Sequence, residues 1–355
     1  MYQKPFFSLI VPCYNDGRYK AGDYLDRLLT SVVQSDLDYN DIEVILADDC
    51  SPKPYGRIVS KFKSHFNIKQ VSTQTRAGYP GFTRNIGALA AQGEWICFAD
   101  HDDMFYPRAL RTVKDIIQTS KGAPIYVYAD FDKVNSNDFN EVIETFSDST
   151  KNNPELLVHG KFYNNDRLWK AYQLSFPDGL TSHEDLALGI QVKCALRKQD
   201  EHATLHIPTP IYMWINNPES ISNTAYKDTK EHSFLERDYK CYLTATIGQY
   251  LDGHARNRIS DQDLIFQVVP LLLNCWFQLN TFKINNKEGY IKENVEYVRE
   301  MWNRSKELLN LSTPAFKVIM KQLSPAVVES INQTALKYNL PNFDEWVEEL
   351  DRKEN

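Results

Sequence analysis

The first 130 residues alternate between short apolar runs and amphipathic segments. The short runs Phe7–Val11, Ile42–Ala47, Ile68–Ser72, Trp95–Ala99 and Ile125–Ala129, mostly apolar except for the mixed Ile68–Ser72, predict strands. Between them, apolar residues at helical spacing predict helices near Tyr24–Ser35, Tyr55–Phe66, Phe82–Ala91 and Arg108–Thr119. This alternation predicts an α/β fold: a Rossmann-like, mainly parallel sheet flanked by helices. Such sheets bind ligands at the carboxyl ends of their strands.

The pattern changes further along. Residues 130 to about 153 are polar and irregular and read as a long loop. Phe162 to Tyr226 mixes helix and strand signals around a second acidic spot, His183-Glu184-Asp185. From Asp228 the spacing is helical over Glu231–Gly248, Asp261–Thr281, Tyr290–Leu309, Ala315–Leu323 and Ala326–Tyr338. The expected organisation is therefore an α/β domain over 1–227, with halves 1–130 and 131–227, and a C-terminal all-α extension over 228–355.

Composition narrows the class. The chain has 355 residues, enough for two domains, and its 42% hydrophobic and 25% charged residues are those of a soluble globular protein. A net charge of −7 argues against nucleic acid as a partner. The six cysteines are scattered without metal-ligand spacing, as expected of reduced thiols in a cytoplasmic protein. The apolar start, Phe6 to Val11, is too short for a signal peptide and Pro12 ends it. The longest apolar stretch, Leu264 to Leu279, is shorter than a bilayer span and reads as a buried helix.

Candidate chemistry gathers at the strand ends. Tyr14-Asn15-Asp16 follows the first strand, Asp48-Asp49 the second, and Asp100-His101-Asp102-Asp103 the fourth. Ending a buried strand on three acids is costly without positive charge nearby. A divalent cation bridging a diphosphate would supply it, since hard cations prefer carboxylate oxygens. The other reading of the acids is a polar turn capping the helix near Arg108. No histidine pair has zinc spacing, no Gly-rich phosphate loop follows the first strand, and no G-x-S-x-G elbow occurs.

Four motifs, in order, resemble the family 2 glycosyltransferases of GT-A fold: Ser8-Leu9-Ile10-Val11-Pro12-Cys13-Tyr14-Asn15, Glu43 to Ser51, Thr83-Arg84-Asn85-Ile86-Gly87 with Gly93-Glu94-Trp95-Ile96, and Asp100 to Asp103. The similarity covers roughly the first 225 residues. It implies that Pro12 and Tyr14, with Asn15 beside them, hold the nucleotide base and ribose. Asp49, with Asp48 next to it, matches the carboxylate that accepts a hydrogen bond from the base. Arg84 matches an arginine that reaches the nucleotide; its other readings are an exposed helix residue or an ion-pair partner for the acidic cluster. Asp100 would bind ribose and Asp102 would ligate Mn²⁺ or Mg²⁺. His101 is the variable middle residue of this set and points away. Glu184 and Asp185 match the downstream acidic pair, Asp185 as general base and Glu184 positioning the acceptor; two acids in a helix's first turn are also what the macrodipole favours. Ser220 and Ser222 fall where relatives contact phosphate. There this chain has Asn216-Asn217 in place of the arginine or histidine common in relatives, which turns attention to Lys227 and His232.

The resemblance implies an inverting, metal-dependent transfer from a nucleotide diphosphate sugar, a UDP-sugar, to a hydroxyl of a saccharide, polyol-phosphate polymer or glycan. A non-catalytic binding or scaffold subunit is the alternative. A nucleotidyltransferase would need a basic, Gly-rich loop where Pro12-Cys13-Tyr14-Asn15 stands. The helical extension offers a surface for homo-oligomerisation or for peripheral association with the inner face of a membrane.

Overall fold

The apolar runs form β1 (Phe7–Cys13), β2 (Ile42–Asp48), β3 (Asn67–Ser72) and β4 (Trp95–Phe98). They pair in parallel in the order β3-β2-β1-β4. The computed structural model describes residues 4–17, 21–148, 157–218 and 241–264, with scattered positions beyond up to 336. The chain divides into two units, Met1–Thr224 and Ala225–Asn355.

In the first unit the sheet is covered on both faces. Phe7, Leu9, Val11 and Cys13 pack with Leu25, Leu28 and Leu29 of helix α1 (Ala21–Val33) and Leu110 and Val113 of α4 (Ala109–Thr119). Ile10, Ile45, Ala47, Ile96 and Phe98 pack with Ala88 of α3 (Pro80–Leu89) and Leu188 and Val192 of α5 (Glu184–Leu196). Alternate residues of one strand thus enter two cores, and this is why the sequence shows continuous apolar runs. A short helix α2 (Gly56–Phe62) joins the first of these layers.

Gly87 lets α3 approach the sheet closely. A Cβ there would lie 2.4 Å from Ile10 Cγ2 and 3.2 Å from Ala47 Cβ. Gly87→Ala is expected to destabilise the protein by about 1–3 kcal/mol through overpacking, read from the denaturant midpoint. An unchanged midpoint would show that α3 shifts freely.

Beyond residue 130 the structure corrects the sequence reading. The stretch expected to be a loop contains most of β6 (Tyr126–Asn135) and all of β7 (Val142–Phe146), paired antiparallel. The signal was hidden because β6 buries Asp130 and Asp132, while β7 exposes Val142 and Ile143. Asp132 accepts hydrogen bonds from Tyr106 Oη at 2.6 Å and Thr145 Oγ1 at 2.6 Å, so its burial is compensated. β8 (Lys161–Asn164) runs antiparallel to β4 and β6, β9 (Thr204–Asn216) runs parallel to β6, and β5 (Met104–Phe105) pairs with β9. The sheet is thus parallel in its first half and mixed in its second.

Of the segments expected to be helical after residue 228, Tyr290–Leu309 and Ala315–Leu323 lie outside the described residues. Asp261–Thr281 and Ala326–Tyr338 lie mostly outside them. The described part of the second unit contains π-helical turns at Thr244–Gly248 leading into an α-helix at Gln249–Ala255. Among the described residues no helix is long and apolar enough to cross a membrane. Cys13, Cys50, Cys97, Cys194 and Cys241 are free thiols, and Cys275 lies outside the described residues.

Candidate active site

The parallel strands deliver the candidate residues to one edge of the sheet. Pro12 is buried in β1, and Tyr14 and Asn15 follow it, partly open. Asn15 accepts from the Gly17 N–H at 3.1 Å, and its own N–H donates to Ser51 Oγ at 2.8 Å. Asp48 closes β2 and is wrapped by its own turn. Its carboxylate accepts from the Ser51 N–H and hydroxyl, from Gln70 Nε2 at 3.3 Å and from Ser72 Oγ at 3.2 Å. The neighbouring Asp49 faces the loop after β3. It accepts from the N–H groups of Ala77 at 2.7 Å and Gly78 at 2.8 Å, and from Thr73 Oγ1 at 3.3 Å. A carboxylate has about four acceptor positions, so one remains open.

The loop after β4 is held from three sides. Asp103 is 1% exposed; it accepts from Tyr212 Oη at 2.7 Å and from the Ile215 N–H at 2.8 Å, both on β9. Tyr212 Oη in turn accepts from the Asp100 N–H at 3.0 Å. Burial, with Asp102 and Asp100 close by, pushes the Asp103 carboxyl well above the usual carboxylate range. Arg27 of α1 donates to the Asp102 carbonyl, and Asn217 Nδ2 donates to Asp102 Oδ2 at 3.2 Å. His101 lies over Tyr24 of α1, ring centroids 6.4 Å apart. Asp103 is therefore an anchor, and Asp100 and Asp102 are the more open carboxylates of the cluster.

Arg84 joins this loop to the start of α5. It is 3% exposed; Nη2 donates to Asp100 Oδ1 at 2.6 Å and Nη1 to Glu184 Oε1 at 2.8 Å, with the guanidinium against the Phe176 ring. Asn85 secures the same junction by exchanging hydrogen bonds with the Phe176 backbone at 2.7 and 2.9 Å. Burial, the largest single influence, would raise the Asp100 carboxyl, but Arg84 together with His159 and His101 holds the group below its ordinary value. Asp185 sits beside Glu184 in the first turn of α5. Burial first, then the Glu184 charge, push its carboxyl up to about 7. One of its oxygens accepts from the Leu186 N–H at 2.8 Å.

Among the described residues, Asp100, Asp103 and His159 bring ligand atoms within 4.8 Å of one another. His159 is buried between the Tyr212 and Trp214 rings, and burial lowers its pKa to about 4, leaving a neutral imidazole. Asp103 already accepts two hydrogen bonds inside the fold. The donors best suited to a hard cation at the surface of this cluster are the Asp100 and Asp102 carboxylates.

Sequence reasoning did not pick out Arg76, Arg27, His159 or the anchoring role of Tyr212. Arg76 stands alone in a loop, and Tyr212 sits in an apolar run where only the buried hydroxyl betrays it. Ser220, Ser222, Lys227 and His232 lie outside the described residues.

Comparison with known proteins identifies the domain. The model of Glycosyl transferase family 2 matches residues 8–170. Residues 8–170, a little under half of the chain, thus resemble a family 2 glycosyltransferase domain. Over 105 residues it is 35% identical to the poly(ribitol-phosphate) β-N-acetylglucosaminyltransferase TarS of Staphylococcus aureus, spanning 30% of this chain and 18% of that protein. Over 104 residues it is 31% identical to the poly(ribitol-phosphate) β-glucosyltransferase of Bacillus spizizenii, spanning 29% of this chain and 16% of that protein. The matched stretch is thus under a fifth of either relative's length. The crystal structure of S. aureus TarS 1–349 in complex with UDP superposes with a TM-score of 0.62 at 18% identity, covering 98% of this chain and 92% of that one. That likeness fixes the fold as the mixed, mostly parallel α/β sheet of this glycosyltransferase family, and all four sequence motifs begin within the matched family domain.

Proposed function

We propose that this protein is an inverting glycosyltransferase that moves a sugar from a UDP-sugar to a hydroxyl of a polyol-phosphate polymer or related glycan. The observation that carries the reading is the Asp100–Arg84–Glu184 chain of ion pairs. It ties the strand end that would hold the donor to the helix turn that carries Asp185, so donor and base share one rigid frame. The UDP bound by the TarS structure and the ribitol-phosphate acceptors of two relatives support the donor and acceptor classes.

In this reading the acceptor oxygen attacks the anomeric carbon while the bond to the diphosphate oxygen breaks, and UDP leaves with that electron pair. Asp185 takes the hydroxyl proton, for which it must be ionised. Glu184, held by Arg84, orients the acceptor. Tyr14, Asn15 and Asp49 hold the nucleoside at the ends of β1 and β2, and the anchors of Asp103 keep the acidic loop in place. Mn²⁺ or Mg²⁺ held by Asp102 and Asp100 would offset charge on the departing diphosphate. The 1–227 segment forms the catalytic domain, its 131–227 half facing the acceptor.

The test is incubation with UDP-sugars, poly(ribitol phosphate) and Mn²⁺, following UDP release and the anomeric configuration of the product. The expected product has the configuration opposite to the donor; retained configuration, or no transfer from any UDP-sugar, would refute the proposal. Asp102→Ala is expected to weaken Mn²⁺-dependent UDP binding about 10-fold or more by calorimetry. Equal UDP affinity in Mn²⁺ and in EDTA would remove the metal from the account.

A further inference from the structure

The guanidinium of Arg76 lies 4.0 Å from the centroid of the Tyr14 ring, close enough to stack. Arg76 is exposed, and among the described residues no carboxylate pairs with it. Long exposed arginines ordinarily sweep a large volume, so a fixed stacked position needs a cause. Asp49 supplies it from both sides. Its N–H donates to the Cys13 carbonyl at 2.9 Å, immediately before Tyr14. Its carboxylate holds the N–H groups of Ala77 and Gly78, immediately after Arg76. Gly78 takes a φ of +82°, the left-handed conformation that lets the loop turn there. The end of β1 and the loop after β3 are thus clipped together at one buried residue, Asp49, through its N–H on one side and its carboxylate on the other, with Tyr14 and Arg76 facing each other.

Position along the edge separates this pair from the acidic cluster. Arg76 follows β3 and Asp102 follows β4, at opposite ends of the row β3-β2-β1-β4. Three strand spacings amount to about 14 Å between the two strand ends, and the Arg76 side chain reaches back along this row to Tyr14 at the end of β1. A nucleoside diphosphate whose phosphates lie by Asp102 extends its base toward Tyr14 and Arg76. A guanidinium stacked on a tyrosine keeps its outer face free for a second flat ring, and its N–H edge free for a carbonyl oxygen.

We infer that Arg76 is a specificity-determining residue that recognises the nucleobase of the donor, stacking on the ring and donating to a base carbonyl. The inference rests on the donor-site reading above. It selects bases with a carbonyl edge, uracil above all, and disfavours adenine, which has none. In this arrangement Asp49 acts on the base twice, by its remaining acceptor position and by fixing Arg76.

Arg76 is on the surface, so its replacement leaves the core intact. Calorimetry with Mn²⁺ would compare the unsubstituted protein, Arg76→Ala and Arg76→Lys, using UDP, ADP and inorganic pyrophosphate as probes. UDP affinity is expected to fall about 10-fold in Arg76→Ala, in line with the loss of one stacking partner. Arg76→Lys, which keeps the charge but not the plane, should recover little of it. Pyrophosphate affinity should stay unchanged, and the preference for UDP over ADP should shrink. Equal UDP affinity in Arg76→Ala would overturn the inference while leaving the donor site standing. Full rescue by lysine, with pyrophosphate binding weakened in Arg76→Ala, would also overturn it, because Arg76 would then be a phosphate charge. Failure of the unsubstituted protein to bind UDP would bring down the donor-site reading, and this inference with it.

Discussion

Replacing Asp185 with Asn is expected to lower turnover by about 100-fold or more while UDP affinity stays near that of the unsubstituted protein. The amide keeps the size of the carboxylate and its acceptor oxygen for the Leu186 N–H, but it cannot take a proton. The shifted carboxyl gives the prediction a second signature. Burial and the Glu184 charge bring Asp185 to about 7, so its ionised, active form is present above that pH and is lost as pH falls through it. The turnover of the unsubstituted protein should therefore drop about tenfold for each pH unit below about 6. Asp185→Asn should show a shallow profile across the same range. Unchanged turnover in the variant, or a rate flat from pH 5 to 8 in the unsubstituted protein, would remove Asp185 from the mechanism.

The second large effect concerns stability. Arg84→Met fills similar space but leaves Asp100 and Glu184 without the cation between them. Breaking a buried pair from one side costs about 3–5 kcal/mol, because the remaining charge is stranded. Two carboxylates are stranded here, one of them with a side chain only 12% exposed and the other 31%. The expected loss is about 3 kcal/mol, placed at the lower end because water reaches Asp100. Arg84→Lys should fall between, since an ammonium keeps the charge but not both fixed hydrogen bonds. Denaturant unfolding reads both values. A loss under about 1 kcal/mol for Arg84→Met would show that the ion-pair chain is not a structural joint.

The first half of the fold was legible because β1, β2 and β4 are buried on both faces and announce themselves as largely apolar runs, while the partly exposed edge strand β3 gave a weaker signal. The carboxylates were legible for a related reason: they follow those runs directly, at the edge where a parallel sheet binds ligands. The second half was not. β6 carries buried aspartates, β7 carries exposed valine and isoleucine, and β5 has two residues, so apolar pattern and burial part company. Within the acidic cluster the sequence could not say which aspartate is pinned. That depends on Tyr212 and Ile215, more than 100 positions away, reaching Asp103 across the β5–β9 pairing. Arg84 shows the same limit. Its two partners lie 16 and 100 positions distant, and only the folded chain reveals that it joins them.

The proposed function places a metal-dependent site for a nucleotide-sugar donor at these strand ends. Its most direct test is a thermal-shift panel of nucleotide sugars and free nucleotides, each in Mn²⁺ and in EDTA. A ligand that binds only the folded state raises the melting temperature by mass action. A rise is expected with UDP and at least one UDP-sugar in Mn²⁺, absent in EDTA and in Asp102→Ala. A flat panel at millimolar ligand, or a rise indifferent to the metal, would contradict it.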